Sequence, residues 1–157
     1  MLNDIERGYI AGFIDGEGCI AITKRMARSG RNYSYRVEVI VAQANRGRAV
    51  LDWLQARIGG RIHETHNGTQ ATLRLAAKDS AALAAWIGPY SVIKLEQWRI
   101  VHAFLNTFEG CTRLNGLLAP DVVEERERLY VALMTAHGGS KKRRVDWTTR
   151  APGASQI

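Results

Sequence analysis

The sequence predicts an α+β fold in which helices alternate with two antiparallel hairpins and further helices follow. Three observations support this prediction. Apolar residues recur at helical spacing in five segments, they alternate with polar residues in two pairs of shorter segments, and a turn sequence joins each pair. The chain of 157 residues also has the length of one domain with a sizeable core. The predicted order is α, ββ, α, ββ, α, α, α.

The first helix is predicted at about Asp4–Asp15. Asn3 is a good N-cap residue, and Glu6 follows three positions later, which is the spacing of a capping box. The turn-forming pair Gly16 and Gly18 should end the helix. A strand can therefore begin directly after it.

The first hairpin follows this helix. From Cys19 the apolar residues alternate, with Ile20 and Ile22 on one face, until residues 29–32 supply turn chemistry. The second strand, Tyr33–Gln43, alternates in the same way. Each strand should therefore present one apolar face to the core and one more polar face to its surroundings.

A second helix and a second hairpin come next. Apolar residues at helical spacing end at Ile58, and Gly59 is placed to take the left-handed C-terminal conformation. Two short strands, Arg61–Thr65 and Gln70–Leu75, flank Asn67-Gly68, which is the strongest two-residue hairpin signal. The sheet should thus contain four strands.

Three helices are predicted in the remainder. Ala81–Ile87 is alanine-rich and stops before a Gly-Pro pair, and a longer helix carries apolar residues from Trp98 to Phe108. The last helix begins at Pro120 and continues to about Met134. We expect one domain at residues 1–137 and a basic, mobile tail at residues 138–157.

Basic residues outnumber acidic ones, 22 to 15, which gives a net charge of +7 and a pI near 9.8. This balance favours a polyanionic partner such as nucleic acid or an anionic membrane, although a merely soluble basic protein has it too. We find neither an apolar run of the roughly 18 residues that can span a membrane nor a signal peptide. We expect a soluble, intracellular protein, cytoplasmic in a prokaryote, with an organelle or nucleus left open.

Cysteine and histidine spacing argues against a zinc site. Cys19 and Cys111 lack metal-type spacing and are predicted to be free thiols. The four histidines show no zinc-hydrolase spacing.

Small residues in the first helix suggest close packing. Gly8, Ala11 and Gly12 carry almost no side chain, so another backbone could approach along that side. Glycine costs about 1 kcal/mol relative to alanine inside a helix, which suggests a packing reason for Gly12. A tolerated glycine in an ordinary core helix is the alternative.

A carboxylate follows the predicted end of this helix. Glu17 lies near the negative end of the helix macrodipole, which disfavours an anion unless a cation is close. Its carboxylate and nearby peptide carbonyls, such as that of Gly16, are the hard oxygen ligands that Mg²⁺ or Ca²⁺ prefers. The sequence therefore indicates a divalent-metal site here.

Residues Ile10–Gly18, IAGFIDGEG, resemble the LAGLIDADG motif of homing endonucleases, and the αββαββα order of that family recurs through about residue 87. The resemblance continues weakly to about residue 137. It implies that the motif helices of two halves pack together, and that Glu17, where the motif has aspartate, reaches metal ions at the scissile phosphates. Asp15 matches the first acid of the motif, and we expect a capping or supporting role at this interface.

The resemblance also assigns two further catalytic residues beside Glu17. Gln43 matches a glutamine that holds solvent near the metals in single-motif members, and Lys94 matches a lysine that stabilises charge at the phosphate. From the residues alone, Gln43 is a polar strand end and Lys94 an exposed charge at a helix start. The implied cofactor is Mg²⁺, with Ca²⁺ able to substitute for binding and Mn²⁺ also possible, and no organic cofactor is expected.

The implied partner is double-stranded DNA, read by the polar face of a curved antiparallel sheet. Donors, acceptors and small apolar groups on that face suit base edges in the major groove, although a solvated sheet face looks similar. A ten-residue strand spans roughly 33 Å, about one duplex turn. Beside Ala21, the predicted DNA contacts are Thr23, Arg25, Ser34, Arg36, Glu38, Ile40, Arg61, His63, Thr65, Gln70, Thr72 and Arg74.

The sequence contains one copy of the motif. Cutting both strands therefore needs two chains, and we expect a homodimer that pairs through Gly8, Ala11, Gly12 and Asp15 on a roughly palindromic target. Two other functions stay open: an RNA-binding intron maturase of the same fold without cleavage activity, and a DNA-binding regulator with a degenerate motif. The regulator is disfavoured because the acid is present.

Overall fold

The structure, a computed structural model, describes residues 2–26, 33–109, 113–114 and 117–138. The predicted order of helices and hairpins is confirmed, and a short additional ladder precedes the last helix. The elements are α1 (Asp4–Glu17), β1 (Gly18–Met26), β2 (Tyr33–Ala44), α2 (Arg48–Ile58), β3 (Arg61–Glu64), β4 (Gln70–Leu75), α3 (Ala77–Ile87), α4 (Leu95–Asn106), β5 (Arg113–Leu114), β6 (Leu117–Leu118) and α5 (Pro120–Ala136).

Strands β1 to β4 form one antiparallel sheet in the spatial order β1-β2-β4-β3. The two hairpins join where β2 pairs with β4, and Gly18 pairs with Val41 at the end of the β1–β2 ladder that lies next to α1. Because successive side chains point to opposite faces, the apolar alternation creates one buried face. Its buried members are Ile20, Ile22, Val37, Val39, Val41, Ala71, Leu73 and Leu75.

The helices pack on this buried face. Helices α1, α2, α3 and α4 all contact strands of the sheet, and Trp98 and Phe104 of α4 are among the largest buried side chains. Helix α5 reaches the same face through Glu127, whose carboxylate accepts hydrogen bonds from Lys24 Nζ at 2.7 Å and from the Tyr35 hydroxyl. The opposite face of the four strands carries the polar side chains.

Helix α1 begins as predicted and ends later. Asn3 and Glu6 form the capping box, with hydrogen bonds of 2.9 and 3.1 Å. The helix continues through Gly16 to Glu17, and Gly18 already has extended backbone. Gly18 is needed for space, since a Cβ there would lie 2.7 Å from the Ile14 carbonyl oxygen. Glu17 is therefore the last helical residue, and the expected end at Asp15 is wrong.

The second hairpin has a longer loop than the two-residue turn that Asn67-Gly68 suggested. Strand β3 ends at Glu64, and Thr65 lies outside it. The Gly68 amide donates to the Thr65 carbonyl at 2.8 Å, and Gly68 has a positive φ of 64°. The glycine thus serves a left-handed position inside a five-residue connection.

Other element ends also differ from the sequence expectation. Helix α3 begins at Ala77 rather than Ala81, α4 ends at Asn106 rather than Phe108, and α5 continues to Ala136. Periodicity locates the apolar stripe of a helix but not its frayed or polar ends, which explains these shifts. Gly59 after α2 has the positive φ that we predicted, 77°, but its ψ of −153° lies outside the left-handed helical region.

Several predicted features lie outside the described residues: the turn at 29–32, Cys111 and the tail from residue 139 onward. Among the helices that the structure describes, we find none both long and apolar enough to cross a membrane.

Candidate active site and nucleic-acid interface

The carboxyl end of α1 presents an exposed carboxylate. Glu17 is exposed, and Gly16 beside it has open space where a Cβ would lie. The last four carbonyl groups of a helix lack helical donors. Here the Ile14 carbonyl accepts from the Gly18 amide, and the Asp15 carbonyl accepts from Lys94 Nζ. The carbonyls of Gly16 and Glu17 are the other two of this last turn, and they belong to the residue next to the exposed carboxylate and to the same residue, respectively.

Asp15 lies two residues before Glu17 and points into the protein, with 7% of its surface exposed. Its carboxylate accepts a hydrogen bond from the Ser91 hydroxyl. It also accepts from three consecutive amides, those of Val92 at 2.7 Å, Ile93 at 3.0 Å and Lys94 at 3.1 Å. Asp15 therefore fastens the segment that leads into α4 to the end of α1.

These hydrogen bonds determine the charge state of Asp15. Burial raises the pKa of this carboxyl, but the hydrogen bonds from Ser91 and the three amides outweigh burial and lower its pKa below the ordinary value. The group is thus a stable anion that accepts four donors.

Lys94 is brought to the same place. Its amide binds the Asp15 carboxylate, and its ammonium group donates to the Asp15 carbonyl. A cation at the carboxyl end of a helix opposes the negative end of the macrodipole. Lys94 therefore lies at the carboxyl end of α1, bound to Asp15.

Gln43 lies near the end of β2, two residues beyond Val41, the partner of Gly18. It shares the helix-side face with Val41, and its Oε1 lies 3.2 Å from the place where a Cβ on Gly47 would stand. The register therefore puts Gln43 at the end of the sheet where α1 joins β1.

The open face of the sheet carries all but one of the predicted DNA contacts. Thr65 is the exception, because it lies in the loop after β3. Cross-strand pairing aligns the others, for example Thr23 with Arg36 and Arg61 with Arg74. The face also includes Cys19 and Ala42, which we did not predict as contacts although the same alternation indicates them. Cys19 is an exposed free cysteine.

The exposed side of α1 is a stripe of small residues. Gly8, Gly12 and Gly16 are exposed, and a Cβ at any of them would meet nothing within 4 Å. Ala11 and Asp15 differ from our expectation of interface residues, because they are only 0% and 7% exposed and are buried in their own chain. A helix turns about 100° per residue, so Ala11 lies to one side of Gly12, next to the buried Ile14.

One chain supplies few metal ligands. Within the described residues, no three histidine, cysteine, aspartate or glutamate side chains are grouped so as to hold a metal ion. The oxygen donors of Glu17 and Gly16 fit a hard divalent cation, which can take its other ligands from water and phosphate. The residues present therefore fit part of such a site.

Solved structures first define the class of fold. The homing endonuclease I-CvuI, in complex with DNA, superposes with a TM-score of 0.74 and 20% identity over 87% of this chain and 85% of that one. The homing endonuclease I-TnaI gives 0.69 and 20% over 90% and 94%. The meganuclease I-SmaMI, bound to uncleavable DNA, gives 0.69 and 16% over 83% and 45%. A search of curated protein sequences gives no match.

The family model described as LAGLIDADG endonuclease matches residues 10–90, more than half of the chain. The chain belongs to the LAGLIDADG endonuclease family. It is a site-specific DNA endonuclease, and the maturase alternative is not favoured.

Proposed function

We propose that two copies of the chain form a homodimer that cleaves both strands of a long, roughly palindromic DNA target with divalent metal ions. The observation that carries this proposal is the end of α1, where exposed Glu17 lies two residues after Asp15, the residue that holds Lys94. An acid and a cation thus share one helix end beside the sheet.

The exposed surface of α1 supports pairing. Its glycine stripe leaves room for a second backbone, and Ile5 on the same helix is 84% exposed. Val92 and Ile93, in the segment fastened by Asp15, are 86% and 73% exposed. Apolar side chains so exposed beside an uncovered helix favour burial against a second subunit.

The likeness to I-SmaMI adds support from chain length. This chain covers only 45% of that one, so two copies of the present fold would span most of it. One chain here contains one motif and offers one Glu17. A closed two-fold pair would bring two such acids to one duplex, one for each strand.

For the metal, Glu17 and the carbonyl of Gly16 would hold the ion. A bound divalent ion supplies an activated water and neutralises charge on the phosphoryl oxygens. One structure of I-CvuI with DNA was obtained in the presence of 2 mM Mg and shows DNA that is not cleaved, and another was obtained in the presence of 2 mM Ca. Mg²⁺ as the working ion, with Ca²⁺ supporting binding only, is our proposal for this chain.

The remaining roles belong to side chains of this chain. The ammonium group of Lys94 would stabilise negative charge at the phosphate, and the amide of Gln43 would orient solvent at the sheet end where α1 joins β1. Arginines on the open face would bind base edges and phosphates. The net charge of +7 favours the approach of DNA.

Glu17→Gln tests the proposal. The change removes the metal-binding charge while preserving shape, so we expect cleavage to fall by at least about a thousandfold while DNA binding persists. The substrate is the duplex formed by joining the genomic segments that flank the reading frame, or cleavable members of a randomised library. The control Glu64→Gln removes one charge from the helix side of the sheet and should cleave normally. Equal turnover by Glu17→Gln would refute the assignment.

A further inference from the structure

The open face of the sheet contains one residue whose charge opposes DNA binding. Among the open-face positions of the four described strands, Glu38 alone carries a carboxylate. An anion on a surface that approaches phosphates weakens affinity. Glu38 must therefore contribute something other than attraction to the DNA backbone.

Two arginines flank this carboxylate. The distance from Glu38 Oε1 to an Arg36 guanidinium nitrogen is 3.7 Å, and that from Oε2 to an Arg74 guanidinium nitrogen is 3.9 Å. Arg36 precedes Glu38 by two residues on β2, and Arg74 reaches across from β4, where it pairs with Ile40. Each carboxylate oxygen thus faces one guanidinium group.

The carboxylate is less exposed than its partners. The Glu38 side chain is 20% exposed, against 70% for Arg36 and 50% for Arg74. All three line an open groove of about 980 Å³ that also includes Arg61 and His63 of the sheet and Lys78 and Asp79 of α3. DNA that enters this groove would meet the guanidinium groups of Arg36 and Arg74 before the less exposed carboxylate of Glu38.

The distances decide what these ion pairs can do. Separations of 3.7 and 3.9 Å exceed normal hydrogen-bond lengths, so each guanidinium keeps N–H donors for another partner. Arginine recognises guanine by aiming two donors at O6 and N7. An unrestrained arginine can bind the nearest phosphate instead, which carries no sequence information.

We propose that Glu38 is a positioning residue for base recognition, which holds Arg36 and Arg74 toward guanine edges and away from phosphates. This differs from our expectation that Glu38 contacts the DNA itself. The proposal rests on the proposed function, because it requires the open face to read DNA. It adds that recognition of two guanines in each half-site depends on Glu38, although Glu38 contacts neither guanine.

Glu38→Gln is the first test, because glutamine preserves the shape and removes the charge. Wild-type protein and variant are each incubated with a randomised duplex library in Ca²⁺, and the bound fraction is sequenced. We expect the wild type to select two guanine positions that Glu38→Gln loses together, each by about fivefold or more, as for a lost bidentate contact. Binding of the variant to random duplex should become tighter and depend more steeply on salt.

Glu64→Gln is the matched control. Glu64 also pairs with an arginine, Arg48, but lies on the helix side of the sheet. The variant changes the net charge by the same amount, so it should retain both guanine preferences. Loss of both preferences in this control would mean that net charge, not Glu38, sets them, and would overturn the proposal.

A double-mutant cycle shows whether Glu38 acts through the arginines. Arg36→Lys and Arg74→Lys should each lose one guanine preference, and adding Glu38→Gln to either should cost nothing more at that position. If Glu38 had a purely structural role, Glu38→Gln would instead weaken the base preference at all positions, and its effect would add to that of each arginine variant. A duplex with 7-deazaguanine at either position should bind the wild type more weakly and Glu38→Gln without further loss.

The contrary outcomes are distinct. If Glu38→Gln keeps both guanine preferences, the positioning role is wrong. It is also wrong if Glu38→Gln instead loses a preference for cytosine at one position that the arginine variants retain. If Glu38→Gln does not fold, Glu38→Asp replaces it, and weakening of both preferences together is expected, while full retention overturns the proposal. A wild-type protein without any sequence preference would instead refute the proposed function.

Discussion

Asp15 and Glu17 show how position on one helix gives two carboxylates different roles. They are two residues apart, so helical rotation separates them by about 200°. Asp15 faces inward, where four donors meet it, while Glu17 remains exposed at the helix end. One acid therefore organises the fold around the site, and the other is available to a ligand.

Removing the Asp15 charge should destabilise the protein and loosen Lys94. Asn has one acceptor oxygen where aspartate has two, so Asp15→Asn leaves donors of the Ser91–Lys94 segment unpaired. We expect a loss of about 1–3 kcal/mol of unfolding free energy, measured by urea titration, and weaker cleavage. Ser91→Ala removes only one donor and should cost less. An unchanged midpoint for Asp15→Asn would contradict this account.

The lowered pKa of Asp15 also predicts a pH dependence. A carboxyl whose pKa is lower in the folded state adds stability above its unfolded pKa, and the ordinary value is 3.8. That contribution is lost as the pH falls below 3.8 through the lowered pKa. Unfolding free energy of the wild type should therefore decrease in this range, and Asp15→Asn should show a shallower decrease. Parallel curves would be the contrary result.

Helix α1 is an element with two opposite faces. Ile10, Ala11 and Ile14 are 0% exposed and fill the core, while the glycine stripe is open. The capping box and the helical spacing were predicted from the sequence, but the assignment of Ala11 to the open side was not correct. Spacing of small residues indicates that a face can pack closely, and the phase of the helix decides which residues lie on it.

Gly12→Leu should separate folding from pairing. A Cβ at Gly12 meets nothing in its own chain, so the monomer should fold and gain up to about 1 kcal/mol from better helix propensity. The larger side chain should block the approach of the second backbone. Sedimentation velocity should then show a single chain, and a cleavage assay should show that it cannot cut both strands. Gly18→Ala is the contrast, because its Cβ would clash with Ile14 and destabilise the fold. A dimeric Gly12→Leu variant would disprove the interface.

Helix α5 is fastened to the first hairpin by Glu127. Burial raises the pKa of this carboxyl, but hydrogen bonds from Lys24 and Tyr35 outweigh it and lower the pKa. We expect Glu127→Gln to lower the unfolding free energy by about 1 kcal/mol, a modest value because the side chain is 41% exposed. Arg128, paired with Glu125 on the same helix, provides the control, since Arg128→Gln should cost at most a few tenths of a kcal/mol.

At the scale of the whole molecule, all described helices lie on one side of the sheet and the arginine-rich face lies on the other. Under the proposed function, this arrangement separates stability from recognition. Core residues on one face can be exchanged only at a cost in packing, whereas the open face, which we propose reads DNA, can vary with the target.

The basic open face predicts a strong salt dependence. A homodimer that neutralises six to ten phosphates should lose about 10³–10⁵ in affinity between roughly 50 and 200 mM salt. Fluorescence anisotropy with a labelled duplex in Ca²⁺ measures this slope, and sedimentation should give two chains per duplex. A nearly flat slope would show that this face is not the DNA-binding surface.

The sequence by itself determined the order of elements, the buried face of each strand and the motif that contains Glu17. These features depend on local periodicity and local caps, which neighbouring residues specify. It located the carboxyl ends of α2 and α3 but not those of α1, α4 and α5, nor the length of the second hairpin loop, because backbone hydrogen bonds, such as that between Gly68 and Thr65, decide such boundaries.

Only the tertiary structure decided which residues meet. Ser91 was not predicted as part of the site, and it lies 76 positions from the Asp15 carboxylate that it binds. The pairing of Arg36 and Arg74 with Glu38 likewise depends on the β2–β4 register. Such contacts join segments that are distant in sequence, so they arise from how the elements pack, which local periodicity does not specify.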